Sequence, residues 1–306
     1  MGKLWAVVFI SITLLPARNC RGENPVYSQL IQGGVPIGLH EVVRLPAPTL
    51  ADGMNAAQQR QAVEAIAEGS HTWEELTRRS VVAPFVLKLP KDENDQGHLG
   101  RRVDLWFVAY GSMSTLENGE WLERQFKATG NETDPEHGAV VKVLEAADLE
   151  RHGLKAARGP EDPQYVFAEL TLLDRVRLSV TTRGAKAQTP DSVISASILD
   201  PHFANDPQYA SRWRPILRDE NNRRYLGKAE YYFGYGSYAK ATRLIEPPGA
   251  ILIEYHAAFA EPEGWFSGNN WLRSKLPLLA QMVVRQLRRE LAKSTDTTLK
   301  GGLSRH

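Results

Sequence analysis

From Pro247 to Leu291 the chain carries an apolar strand pattern, a turn punctuated by proline and glycine, and its most regular amphipathic helix pattern. This succession constrains the fold more than any other stretch, because a one-sided strand and a one-sided helix must each bury a face against something. Ile251, Ile253, Tyr255 and Ala257 fall on one strand face, and Leu252, Glu254, His256 and Ala258 on the other. Pro247, Pro248 and Gly249 mark a turn before the strand, and Pro262 and Gly264 one after it. Beyond that turn, Leu272, Leu276, Leu279, Val283, Leu287 and Leu291 recur at steps of three or four and form one stripe. Pro277 is tolerated only in a first helical turn, so the spacing predicts a main helix that starts near Leu276.

Upstream, residues 23–38 read as an irregular linker, followed by a single domain over 39–293. Leu39–Leu45 predicts a first strand. Asn55–Glu68 predicts a helix closed by Gly69, and Thr72 with Glu75 forms the pattern of a capping box. Strands are expected within Ser80–Leu89, Arg101–Tyr110, Val140–Leu144 and Ser192–Leu199, and a hairpin over Tyr165–Leu172 and Val176–Thr182. A short helix is expected around Trp121–Phe126. Asp200–Asn221 is less regular. Arg224–Glu246 reads as two strands joined at a glycine kink, and Gly234 and Gly236 suit a bend in the sheet. Strand, two helices, six or seven further strands and a long C-terminal helix argue an α+β domain built on an antiparallel sheet.

That order, with Gly249–His256, then Glu261–Phe266, then the helix ending Gln286–Leu291, resembles the helix-grip fold of the START and Bet v 1-like superfamily over about 45 residues. The resemblance implies a curved antiparallel sheet gripped by the last helix. It also implies an apolar or amphipathic small-molecule ligand, such as a lipid, held between sheet and helix. Insertions at 112–138 and 200–225 account for the extra length.

The N-terminus reads as an address. Lys3 precedes an apolar run from Leu4 to Leu15, too short to span a bilayer and shaped like the core of a secretory signal. Cleavage between Ala17 and Gly22 would give a secreted or periplasmic protein. Such cleavage after Cys20, the single cysteine, leaves no thiol for disulfides or thiolate metal sites. A formal net charge of +1 offers no global field for nucleic acid. The last 37 residues are basic, with Lys or Arg at 273, 275, 285, 288, 289, 293, 300 and 305. The bland reading is a solvated helix face followed by a disordered basic tail over 294–306. The sharper one is peripheral contact with an anionic membrane.

For chemistry, Glu254 and His256 lie two apart on one strand face, close enough for a carboxylate to orient an imidazole. The remaining histidines are scattered without metal-ligand spacing, no nucleophile elbow occurs, and Gly234-Tyr235-Gly236 does not continue as a nucleotide-binding loop. No metal or cofactor is expected. Tyr231, Phe233 and Tyr235 would share a face with Tyr232 opposite, and serve either as core or as the wall of an apolar cavity. Trp265 and Phe266, in the turn before the helix, are expected over the end of the sheet at the border of any pocket. The candidate ligand-binding set is therefore Tyr231, Phe233, Tyr235, Glu254, His256, Trp265 and Phe266. The alternatives are a cell-envelope interaction protein without a pocket, and a hydrolase or lyase using Glu254 and His256 with a tyrosine.

Overall fold

The computed structural model describes residues 23–38, 41–90, 100–117, 140–159, 162–173, 175–263, 265 and 271–302. The expected signal segment, the Trp121–Phe126 helix and Phe266 lie outside these residues. The chain is α+β, and its centre is a large antiparallel sheet.

In chain order the elements are α1 (Pro25–Gly33), β1 (Val35–Ile37), β2 (Glu41–Val43), α2 (Ala56–Ala67), α3 (Trp73–Leu76), β3 (Val86–Lys88), β4 (Gly100–Tyr110) and α4 (Met113–Glu117). Then follow β5 (Val140–Val143), α5 (Ala146–Glu150), β6 (Gln164–Leu172), β7 (Val176–Gln188) and β8 (Ser192–Leu199), a 3-10 turn (Pro201–Phe203), and β9 (Arg212–Arg218), β10 (Arg224–Leu226) and β11 (Glu230–Tyr231). The chain closes with β12 (Tyr235–Arg243), β13 (Ala250–Ala260) and α6 (Trp271–Gly302).

Among the described residues, eleven strands make the main sheet, not six or seven, in the order β10-β9-β7-β8-β12-β13-β4-β3, with β11 on β9 and the β5–β6 pair on β7. β1 and β2 form a separate two-stranded ribbon. The extra strands are short, and β10 and β11 are only three and two residues long. β9 carries arginines and a proline where an apolar alternation would announce a strand.

One face of the sheet is closed by α6. Leu105, Phe107, Ile251, Ile253 and Tyr255 pack there against Val283, Val284 and Leu291 in one apolar cluster. Leu276, Leu279, Val283 and Leu291 are all buried, as their stripe predicts. The helix begins at Trp271, so Pro277 lies inside it rather than at its start. Its ring is exposed, on the side where a missing backbone bond is least costly. At the other end the helix runs to Gly302, through most of the stretch expected as a disordered tail. Arg288 is not on a solvated face. It is 4% exposed and donates to the carbonyls of Val108 (2.8 Å), Ala83 (2.5 Å) and Pro84 (3.0 Å).

The opposite face is covered by several pieces of chain in turn. Leu252 and Val108 pack under Leu50, Val63, Trp73 and Leu76. α2 and α3 begin with reciprocal capping boxes, Asn55 with Gln58 and Thr72 with Glu75. Beside them lies α1, in the segment expected as a linker. Its Val26 and Leu30 are fully buried. Asn24 caps it, and its side-chain amide donates to Ala185 O at 2.7 Å. A Cβ on Gly236 would come within 2.8 Å of both Leu30 and Val35, and one on Gly234 within 2.7 Å of Ile37. Those glycines make room for the N-terminal segment. Further along, Leu144, Leu149, Phe203 and Tyr209 form a satellite core on Tyr165 and Phe167. Among the described residues, no helix is long and apolar enough to cross a membrane.

Candidate functional site

Glu254 and His256 do meet, but as part of a sealed row. The register sets Asp104 of β4 and Tyr238 of β12 on either side of His256. His256 Nδ1 lies 2.8 Å from Asp104 Oδ1, and Nε2 lies 3.4 Å from Glu254 Oε2. An imidazolium satisfies both contacts, with each ring N–H donating to a carboxylate. Arg102 Nε donates to the second Asp104 oxygen at 2.9 Å. Trp106 meets the histidine ring edge-on at 5.0 Å, and Tyr238 leans on it at 4.8 Å.

Residues 44–52 strap over this row. Thr49 N donates to Glu254 Oε2 at 2.8 Å, and Trp106 Nε1 donates to the Thr49 hydroxyl at 2.9 Å. The Tyr238 hydroxyl donates to Pro46 O at 2.6 Å, and Lys240 Nζ to Leu50 O at 2.8 Å, with Asp52 at 3.2 Å. Burial pulls the His256 pKa down, but the hydrogen bonds and charges of Asp104 and Glu254 outweigh it and hold the pKa above the usual histidine value. Burial, and then the Glu254 charge, push the Tyr27 hydroxyl up to about 12. Glu254 Oε1 is buried with no hydrogen-bond partner among the described residues, while Oε2 makes the contacts to Thr49 and His256. Both side chains are 0% exposed. A general acid–base pair needs a substrate within hydrogen-bond reach, and neither side chain has surface to offer one. The arrangement clamps the strap to the sheet.

The aromatic candidates separate. Tyr231 and Phe233 are 53% and 43% exposed, whereas Tyr232, expected on the opposite face, is buried at 4%. Tyr231 and Phe233 thus alternate with Tyr232 as read, but the face they share is the exposed one rather than a core or cavity wall. Tyr235 is partly buried against the core. Trp265 is buried at 2%, stacked on Tyr232 with ring centroids 5.3 Å apart and edge-on to Trp213 at 5.9 Å. It packs on the β9–β11 lobe, as its place in the turn suggests.

A space that a ligand could enter lies elsewhere, on the face opposite α6, where the covering segments stop. A cleft of about 340 Å³ opens over β6, β7 and β9. Arg177, Arg212 and Arg214 line it, with Glu169 as the one carboxylate among its lining residues. Phe167, Ala210, Pro207 and Leu226 supply apolar wall. Arg177 is 5% exposed, pairs with Glu169 at 3.1 Å and donates to the Thr171 hydroxyl at 3.2 Å. The Arg212 guanidinium lies 5.1 Å from the Tyr231 ring centre, so one expected aromatic borders the cleft through a cation–π contact. Ser179 is the only hydroxyl among the lining residues, and it donates to the carbonyls of Ala210 (3.3 Å) and Arg212 (3.2 Å). That spends its proton on backbone and leaves it without a base. Guanidinium forks on a concave, part-apolar wall fit carboxylate, phosphate or sulfate.

No protein-family model matches the chain, and no curated protein matches it. Among solved structures it is similar to an uncharacterized protein from Rhizobium leguminosarum, at a TM-score of 0.30 and 9% identity. The match covers 63% of this chain and 97% of that one. Likeness at this level carries no argument, and the functional reading rests on the geometry.

None of the cleft arginines was among the sequence candidates. Their signal was Arg212-x-Arg214 and Arg175-x-Arg177, arginines spaced to share a strand face. Only the pairing of β7 with β9 brings the two sets together. Among the described residues, no group of three or more His, Cys, Asp or Glu could hold a metal ion.

Proposed function

We propose that this is a binding protein for a small amphipathic molecule whose oxyanion group seats in the arginine cleft over β6, β7 and β9. The observation that carries the reading is Arg177. A guanidinium only 5% exposed lies under a cleft that Arg212 and Arg214 also line, with Glu169 as the carboxylate among the described lining residues. Desolvated arginines bind anions more strongly than surface ones, because water competes less. The ligand class matches what the helix-grip resemblance implies, and α6 lying along β4 and β13 belongs to the same proposal. The proposed seat lies on the sheet face opposite α6, not between sheet and helix.

Calorimetric titration with dodecyl phosphate, and with dodecyl maltoside as the uncharged control, tests this. The phosphate should bind and the maltoside should not. Arg214→Gln, on an exposed residue, should weaken phosphate binding about tenfold, the worth of one charge-assisted contact. Equal binding of both detergents, or an unchanged affinity in the variant, would overturn the reading.

A further inference from the structure

The register builds the floor of the cleft as a row across four strands. Val140 of β5 stands opposite Glu169 of β6, Glu169 opposite Ser179 of β7, and Ser179 opposite Arg212 of β9. Residues paired in this way share one face of the sheet. Two residues along each strand, Arg177 of β7 stands opposite Arg214 of β9. Ser179 is the smallest side chain of the row, so the floor dips there between charged neighbours. Adjacent strands lie about 4.8 Å apart, which sets the backbones of Glu169 and Arg212 about 10 Å from each other across Ser179. Both side chains line the cleft. One side of the dip therefore carries a carboxylate, and the other carries the two guanidinium groups of β9.

Glu169 contacts Arg177 at 3.1 Å, but the two side chains differ in exposure, 36% for the glutamate and 5% for the arginine. The carboxylate thus holds a buried guanidinium and still has surface to offer a ligand. Neighbouring charges leave this arrangement in place. Lys142, which stands beside Phe167 on β5, pairs with Asp148 at 2.9 Å, and Glu230 on β11 pairs with Lys228 at 3.2 Å. An oxyanion alone over Ser179 would meet Arg212 and Arg214 on one side and the like charge of Glu169 on the other. An ammonium turned toward Glu169 makes both sides attractive.

We propose that the ligand's head group is zwitterionic, with a primary ammonium a few bonds from the oxyanion. The oxyanion seats against Arg212 and Arg214, the ammonium donates to Glu169 across Ser179, and the hydrocarbon takes the apolar wall of Phe167 and Pro207. This rests on the cleft reading and adds to it a cationic group and the residue that recognises it.

The test compares dodecyl 2-aminoethyl phosphate with dodecyl ethyl phosphate, which lacks only the ammonium, by calorimetric titration of the wild type and of Glu169→Gln. Wild type should bind the aminoethyl ester about tenfold more tightly, since a partly exposed charged hydrogen bond contributes that order. Glu169→Gln should bind the two esters equally. The ratio is the readout, so a change in affinity common to both esters, from loosening Arg177, cancels. A thermal melt shows whether the variant is folded. If it is not, Glu169→Asp, which withdraws the charge by one methylene, should shrink the preference. Equal binding of both esters by wild type, or tighter binding of the ethyl ester, overturns the zwitterionic ligand and leaves the cleft reading standing. A preference that survives undiminished in the folded variant also overturns it. Failure of both esters to bind overturns it too, and the cleft reading falls with it if dodecyl phosphate also fails to bind.

Discussion

His256 sits at the centre of the buried row under the strap, between Asp104 and Glu254. Its folded pKa is raised. Its contribution to stability is therefore fully present below the unfolded pKa of about 6.5 and is lost as pH rises through the higher folded value. The stability gap between wild type and His256→Gln, measured by urea unfolding, should be larger near pH 6 than near pH 9. A gap that is constant with pH would mean that folding leaves the ring's pKa at its unfolded value. Arg288 shows a different solution to burying charge. Burial, and then the charge of Arg78, pull its pKa down to about 10. Three carbonyls hold the guanidinium, and they tie α6 both to β4 and to the segment before β3. Arg288→Ala would orphan those acceptors and should cost about 3 kcal/mol in denaturant unfolding. A loss within the ordinary range of a surface substitution would show that water replaces the side chain.

At the scale of elements, α6 closes the sheet through its apolar stripe. Leu279 is 6% exposed, and its neighbour Leu278 is 55% exposed. Leu279→Ala should cost about 2–5 kcal/mol by removing buried methyl groups and leaving a cavity. Leu278→Ala should cost less than about 0.5 kcal/mol. Equal losses at the two positions would contradict the helix's rotation about its axis. α1 closes the sheet in a different way. Its apolar residues, Val26, Leu30 and Ile31, make a pattern too short to outweigh the surrounding glycines and prolines when read alone. What holds it is tertiary packing onto Gly236 and the Asn24 contact with β7.

For the molecule as a whole, the net charge of +1 hides an uneven distribution. Arg177, Arg212 and Arg214 gather on one sheet face, where Arg177 pairs with Glu169 at 3.1 Å. A ligand held by these charges should lose affinity as salt rises from about 0.05 M to about 0.5 M, because the screening length falls to a few ångströms. Titration of dodecyl phosphate at the two salt concentrations checks this. An affinity that rises with salt would mark a site governed by hydrocarbon contact alone. The same distribution explains why the cleft stays uncovered, since a segment laid over it would have to desolvate several guanidinium groups.

The C-terminal strand and helix, the capping boxes at Asn55 and Thr72, the β6–β7 hairpin and β8 were legible in the sequence. Each is announced by contacts within a few residues, through side-chain alternation, i to i+4 spacing and caps. The pairing of Glu254 with His256 was legible for the same reason, being a two-residue relation on one strand. Whether that pair faced a ligand or an interior depended on Asp104, Tyr238 and the strap at Thr49, more than a hundred residues away in two of those cases. Tyr231 and Phe233 alternate with Tyr232 as their pattern reads, but only the tertiary packing decided that their face is the exposed one. The arginine cleft needed β7 and β9 in register, and β9 hides its strand character because its cleft face is charged rather than apolar. Local periodicity determined which segments form elements. Only long-range pairing decided which faces are buried and where the molecule leaves a cleft open.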